Sequence, residues 1–297
     1  MKKARKLFLV CLMAVLALAT FMFAACGEKN IQVISREASS GTRGAFEELV
    51  SKDGVALEDA ELLSNMDIQS GTNDVISRVA ANPTAIGYVS LGSVDSSVKA
   101  LQVNGVTANA DNVTNGTYGL SRPFVVMTKS GLTLSDATQD FLLFLHSSTA
   151  QGIVEEHGYV TQAELDGTYT APTSALTGDI DVRGSTSMQE LMENLIAEYQ
   201  EIGGTNVDGI NFSVNCQGSG EGIDDVAADT NGGHDIIGMA SRELTTDEQA
   251  GKDFFNIAKD AIAIIVNPDN ELTNITIEQL FDIYTGAITK FSQLDAE

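Results

Sequence analysis

Short runs of apolar, β-branched residues alternate with amphipathic stretches along most of this chain. Strand-like runs fall at 31–35, 86–90, 98–103, 123–128, 179–183, 209–217, 235–239 and 257–267. Apolar positions at helical spacing predict helices over 42–51, 74–81, 135–146, 149–157, 187–202, 221–228 and 276–284. Helices set between strands define an α/β chain with mostly parallel sheets, because parallel strands need a crossover and a helix supplies it. Leu142, Leu143, Phe144 and Leu145 make an apolar run too short to cross a bilayer, so it belongs to a core. Segment 166–178 breaks the alternation: it is small and polar, carries Pro172, lacks a period and reads as a linker.

The first 26 residues stand apart from this pattern. Lys2, Lys3, Arg5 and Lys6 open them, and an apolar stretch follows that ends Phe23-Ala24-Ala25-Cys26. That is a secretory leader with a lipobox-like end, although Phe23 stands where leucine is usual. A plain transmembrane anchor is the competing interpretation of a stretch this long. The small residues before Cys26 and the polar Gly27, Glu28, Lys29 and Asn30 after it favour lipidation at Cys26. With Cys11 in the leader and Cys26 carrying lipid, Cys216 is alone, which excludes an intrachain disulfide and a cysteine metal site. Cys216 is expected to be a buried, inert thiol.

Charge narrows the partners. Four of the 17 Lys and Arg residues stand in the leader, so the net charge of −24 deepens to −28 for the rest. Such a surface repels nucleic acid and anionic headgroups. An anion site on it has to be desolvated and built from local dipoles, since distant charges are screened over about 8–10 Å.

Three places offer that design, each a strand, a turn of Gly and Ser/Thr, then a helix. They are Gly184-Ser185-Thr186-Ser187, Gly218-Ser219-Gly220 and Ser39-Ser40-Gly41-Thr42. Ser187 and Glu190 have the spacing of a capping box. A helix start presents unpaired N–H donors and the positive end of the dipole, which suits a tetrahedral oxyanion. One such turn is ordinarily just a cap. Three in one chain, with Arg36 at the end of a strand to fork two donors, point to an anion site. Arg36 has an equally plain alternative in a salt bridge with Glu37.

Enzyme signatures are weak. His146, His157 and His234 share no metal-ligand spacing, and His234 reads as a turn residue. Gln217 stands where a nucleophile elbow needs its first glycine, and no Gly-Lys-Ser/Thr phosphate loop is present.

The motifs themselves carry a resemblance. REASSGTRGAF, GSTS, GSGEGI, DIIGMASREL, AIGYVSLG and YGLSRPFVVMTK resemble the phosphate-binding lipoproteins of ABC-type phosphate importers, the PstS family, over nearly all the chain after the leader. The resemblance implies a two-lobed periplasmic-binding-protein fold of type II, an α/β fold with the ligand cleft between lobes. It implies Arg36, Ser40, Gly41, Thr42, Thr186, Ser187, Ser219 and Ser241 as phosphate ligands. It also implies a monomeric, extracytoplasmic receptor, lipid-anchored to the cell membrane, that needs no cofactor, catalyses no reaction and hands inorganic phosphate to an ABC-type permease. The alternative is the same fold serving sulfate, molybdate or tungstate, or acting as a phosphate sensor. Ser241 keeps that alternative open, because many members have an aspartate there to accept a proton from phosphate. Arg242 beside it either adds charge to the site or pairs with Glu243 or Asp247.

The order of segments is the departure. In the family GSTS precedes SGTR; here it follows, so the chain is either circularly permuted or a broken piece. A linker joining the family's old ends at 166–178 favours permutation. The expected organisation is a leader at 1–26, lobe two from 27–117 and 268–297, and a continuous lobe one at 118–267. The new termini are expected close together on lobe two.

Overall fold

The computed structural model describes residues 30–230 and 234–294, so the leader and Cys26 lie outside the described residues. A nine-stranded sheet runs through both halves of the molecule. Its strands are β1 (Gln32–Arg36), β2 (Asp67–Gln69), β3 (Ala85–Ser90), β4 (Lys99–Ala100), β5 (Ser121–Lys129), β6 (Thr177–Gly184), β7 (Gly209–Asn215), β8 (Asp235–Ala240) and β9 (Lys252–Val266). Their order is β7-β6-β8-β5-β9-β3-β1-β2, with β4 also paired to β9. The outer strands are parallel on each side, β6 with β7 and β8, and β1 with β2 and β3. Between them β5 and β9 run antiparallel to their neighbours.

The principal helices are α1 (Gly41–Leu49), α2 (Thr72–Ala80), α3 (Asp136–Leu145), α4 (Ser148–Glu156), α5 (Gln189–Gly203), α6 (Ser219–Ala228) and α7 (Ile277–Thr285). Local chemistry sets their ends. Thr276 and Gln279 form a capping box on α7, and Gly286 closes it at φ 84, a left-handed turn that suits glycine. Ser40 caps α1 by accepting from the Arg43 N–H at 3.3 Å.

The expected capping box of Ser187 and Glu190 does not form. The cap position of α5 is Met188, without a side-chain cap, and the Ser187 hydroxyl turns away toward Thr42. A serine in a turn can bond its local backbone or a partner across the fold, and here the distant partner wins.

Strand β9 links two cores. From Lys252 to Ala261 it pairs with β5, and from Ile262 to Val266 with β3. Ile257 and Ala258 pack with Phe124, Phe141, Leu195 and Ile237. Ala261, Ile262, Ile264 and Val266 pack with Phe46, Tyr88, Leu280 and Tyr284. On the way into β5, Tyr118 and Leu120 belong to the second core and Phe124 and Val126 to the first. The two cores thus meet along β5 and β9. Burying each of these Ile, Val or Phe side chains stabilises by about 1.5–3 kcal/mol, so both cores hold β9 in place.

The first half of β9 was hidden from the apolar pattern because Lys252, Asp253 and Asn256 interrupt it. Pairing with β5 makes it a strand all the same. The expected single strand over 98–103 instead changes partner at Leu101. Lys99–Ala100 joins β9, whereas Gln102–Val103 pairs with Asn274–Ile275.

Segment 166–178 is stitched to the fold. The Tyr169 hydroxyl donates to Asp140 at 2.7 Å, Asn206 Nδ2 to the Pro172 carbonyl at 2.7 Å, and the Leu176 N–H to the Asn206 carbonyl at 2.7 Å. At the other end of the molecule the Ile31 N–H donates to the Thr289 carbonyl at 2.8 Å, and Ile31 and Leu294 share one core. The first and last described elements are therefore neighbours; Glu297 lies outside the described residues. Among the described residues no helix is long and apolar enough to cross a membrane.

Candidate functional site

Strand β1 delivers Arg36 to one side of a cleft, and an aromatic cluster fixes it there. Ser35 Oγ and the Tyr88 hydroxyl lie 2.8 Å apart, and the Tyr284 hydroxyl donates to the Ile34 carbonyl at 3.0 Å. Tyr88 stacks on Phe46 of α1 with ring centroids 4.1 Å apart. Burial pushes the Tyr88 hydroxyl up to about 12, so it keeps its proton and holds β1 against α1.

The opposite side is made by the turns after β6 and β8 and by the start of α6. Gly184 at φ 125 ends β6, where a Cβ would stand 2.2 Å from the Met239 carbonyl oxygen. That close approach brings Ser185, Thr186 and Ser187 beside Ser241. Ser185 Oγ donates to Ser241 Oγ at 2.8 Å, and the Ser241 N–H donates to Ser219 Oγ at 3.0 Å.

The two sides touch. Thr42 Oγ1 and Ser187 Oγ are 2.8 Å apart, and Arg36 Nη2 donates to Thr186 Oγ1 at 2.9 Å. The Gly220 N–H donates to the Ser39 carbonyl at 3.1 Å. Gly41 is the tightest point, since a Cβ there would meet Ser219 Oγ at 2.2 Å and Ser241 Oγ at 2.9 Å. Arg36, Ser40, Gly41, Thr42, Thr186, Ser187, Ser219 and Ser241 therefore gather at one place. Ser40 faces its own helix as a cap, Thr42 and Ser187 meet across the cleft, and Ser219 and Ser241 lie together on one side of it.

Arg36 makes the salt bridge with Glu37 that stood as the alternative to an anion role. Its Nε and Nη2 fork onto Glu37 at 2.8 and 2.6 Å while Nη2 also reaches Thr186. Only 2% of Arg36 is exposed, so its charge is felt at low dielectric. Glu37 cancels much of that charge, which leaves the helix starts as the main source of positive potential for an anion.

Two residues escaped the sequence reasoning. Thr72 opens α2 beneath Gly71, a cap position without a side-chain bond, and lies 3.3 Å from Thr186 Oγ1 and 3.4 Å from Arg36 Nη1. The signal was there: Ser70-Gly71-Thr72 repeats Ser40-Gly41-Thr42. The other is Arg122 on β5. Its Nε and Nη2 donate to Asp260 Oδ2 at 3.1 and 3.0 Å, and its Nη1 donates to the Ser241 carbonyl at 3.1 Å and hydroxyl at 3.2 Å. Burial works against both charges, lowering Arg122 and raising Asp260, and their pairing opposes it.

Arg242 turns out of the cluster. Its guanidinium forks onto Glu248 at 2.7 Å on each arm, and Glu243 contributes only a carbonyl at 2.9 Å. Pairing is thus correct, but Glu248 supplies the carboxylate that Glu243 and Asp247 were expected to supply. The Arg242 hydrogen bonds hold the Glu248 carboxyl down at about 2.

A cleft of about 580 Å³ leads toward Thr72 and Thr186, lined also by Glu190, Glu193 and Cys216. Cys216 is half-buried and not fully buried as expected, and desolvation, with Glu193 adding to it, pushes its thiol up to about 12 and keeps it protonated. The histidines sit elsewhere, His146 on the Leu142 carbonyl, His157 beside Asn194 and His234 3.5 Å from Asp181. Chemically the cluster is a set of hydroxyl, backbone and guanidinium donors, suited to replacing the water shell of an oxyanion.

Comparison with known proteins bears on the family and the fold. A model of the PBP superfamily domain matches residues 24–149 and 169–297. The chain is 37% identical over 295 residues to the phosphate-binding protein PstS 2 of Streptococcus pneumoniae, which covers 95% of this chain and 97% of that one. It is 31% identical over 140 residues to the phosphate-binding protein PstS of Bacillus subtilis, covering 46% of this chain and 44% of that one. The crystal structure of a phosphate-binding protein of a phosphate ABC transporter from Streptococcus pneumoniae superposes with a TM-score of 0.66 at 38% identity, covering 89% of this chain and 99% of that one. The chain belongs to the PBP superfamily. Within it, the chain is a member of the PstS family of phosphate-binding proteins.

Proposed function

We propose that this protein is an extracytoplasmic receptor that binds inorganic phosphate between its lobes and delivers it to an ABC-type phosphate permease. Phosphate and the permease follow the named activity of the relatives. The observation that carries the proposal for this chain is the convergence of Arg36, Thr42, Thr186, Ser187, Ser219 and Ser241 from both lobes. Their hydroxyls, with the backbone at Gly41 and the starts of α1 and α6, replace phosphate's water shell as the lobes close. Binding makes and breaks no covalent bond, so the protein is not an enzyme, and the function uses no cofactor.

The chain is also proposed to be circularly permuted and lipidated at Cys26, and to act as a monomer. Two observations support permutation. Ile31 and Leu294 belong to one core and the Ile31 N–H donates to the Thr289 carbonyl, so joining the ends would need little added chain. The alignment spans 97% of the pneumococcal protein but only 44% of the Bacillus subtilis one, as expected if the former shares this segment order and the latter does not. The lipid tether would then hold the lobe that carries Arg36, here built from 27–117 and 268–297, while 118–267 forms the other lobe. A second function, the same cleft serving sulfate or another oxyanion, is favoured by Ser241 alone.

Thermal unfolding of the mature protein with added phosphate tests the proposal. A ligand that binds only the folded state raises the midpoint in step with its concentration. Phosphate should do so and chloride should not; equal midpoints in both salts would remove the proposal.

A further inference from the structure

The guanidinium of Arg122 takes up one side of Ser241. A serine hydroxyl has two lone pairs and one O–H. Ser241 Oγ accepts from Arg122 Nη1 at 3.2 Å and from Ser185 Oγ at 2.8 Å, so both lone pairs are in use. What remains is the O–H, and it lies on the side of Ser219 and Gly41, where the two lobes meet. Arg122 has no acceptor and cannot exchange roles. It cannot swing away either. Asp260 holds two of its nitrogens, its guanidinium lies 5.5 Å from the Phe124 ring centroid, and the ion-paired side chains are 1% and 0% exposed.

We propose that Arg122 is a specificity-determining positioning residue: together with the Ser185 hydroxyl it fills both lone pairs of Ser241 and makes that hydroxyl a donor, never an acceptor, toward a bound oxyanion. The proposal rests on the oxyanion function above. Its consequence concerns the proton that distinguishes monohydrogen phosphate from sulfate. A ligand P–OH cannot donate to Ser241, so phosphate must turn that proton to another partner. Sulfate has no proton to place and meets no penalty there. Ser241 therefore contributes equally to both anions and does not discriminate between them.

Titration calorimetry with phosphate and with sulfate, on protein refolded to strip ligand, reads this directly. In Ser241→Ala the affinities for both anions should fall by the same factor, about fivefold for one lost donor. Loss of phosphate affinity with sulfate unchanged would show Ser241 accepting the phosphate proton and would overturn the proposal. The double variant Arg122→Met with Asp260→Leu removes the donor without leaving a buried carboxylate unpaired. It should shift the phosphate-to-sulfate affinity ratio toward phosphate by about tenfold, as a freed lone pair accepts the P–OH. An unchanged ratio would overturn it. If that variant does not fold, the paired phosphate and sulfate titrations of Ser241→Ala decide the proposal by themselves. Failure of the wild type to bind either anion would instead refute the oxyanion function, and with it this inference.

Discussion

Thr42 Oγ1 and Ser187 Oγ share a hydrogen bond of 2.8 Å across 145 positions of sequence. Thr42 lies in the first turn of helix α1 and Ser187 precedes α5, on opposite sides of the cleft. The bond therefore crosses the cleft. Thr42→Val and Ser187→Ala should each weaken phosphate binding by roughly five- to tenfold, the worth of one hydrogen bond of about 1 kcal/mol. The double variant should lose less than the product, because each partner loses the same contact. Full additivity in calorimetry would mean the two hydroxyls act separately.

Arg36 and Glu37 should move affinity in opposite directions. Arg36→Met removes a buried charge-assisted donor and should weaken phosphate binding by about 10- to 100-fold, since such bonds are worth about 1.5–3 kcal/mol. Glu37→Gln keeps the shape but releases the charge that Glu37 now neutralises at 2.6 Å, and should tighten binding several-fold. Weaker binding in Glu37→Gln would assign Glu37 to holding Arg36 in place.

Gly41 tests closure. A Cβ there would stand 2.2 Å from Ser219 Oγ, on the opposite side of the cleft. Gly41→Ala should abolish phosphate binding while leaving the unfolding midpoint of the ligand-free protein nearly unchanged. Solution scattering should show no compaction with phosphate. Wild-type affinity in Gly41→Ala would place the ligand elsewhere.

Acid stability should report the pair of Arg242 and Glu248. The Glu248 carboxyl is held at about 2, below its unfolded value of 4.5, so its contribution is present above that unfolded value. It is lost as pH falls from there toward about 2. Glu248→Gln should therefore unfold at a lower temperature than wild type at neutral pH, and the gap should close in acid. The gap will be small, because the pair is partly exposed. A gap that widened in acid would contradict the pairing.

Much of this was legible in residues. The three turns of Gly and Ser/Thr stood at strand ends and pointed to an anion site, while their meeting in one cleft was implied by the family resemblance. Arg122 was not legible, because an arginine inside an apolar strand announces neither its partner on β9 nor its reach to Ser241. Nothing in the spacing of Ser187 and Glu190 revealed that Thr42 would outcompete the local cap. Thr72 was legible and missed, as the second Ser-Gly-Thr before a helix. Arg242 and Glu248, six positions apart, met only because a short helical turn, Thr246–Gln249, brought them together.

The most direct test is phosphate titration of the mature protein after unfolding and refolding to remove carried ligand. A single saturable binding event, weakened about 10- to 100-fold in Arg36→Met and abolished in Gly41→Ala, is the predicted result. No heat with phosphate from folded wild-type protein, or binding that survives both substitutions, would contradict a phosphate site in the cleft between Arg36 and Ser241.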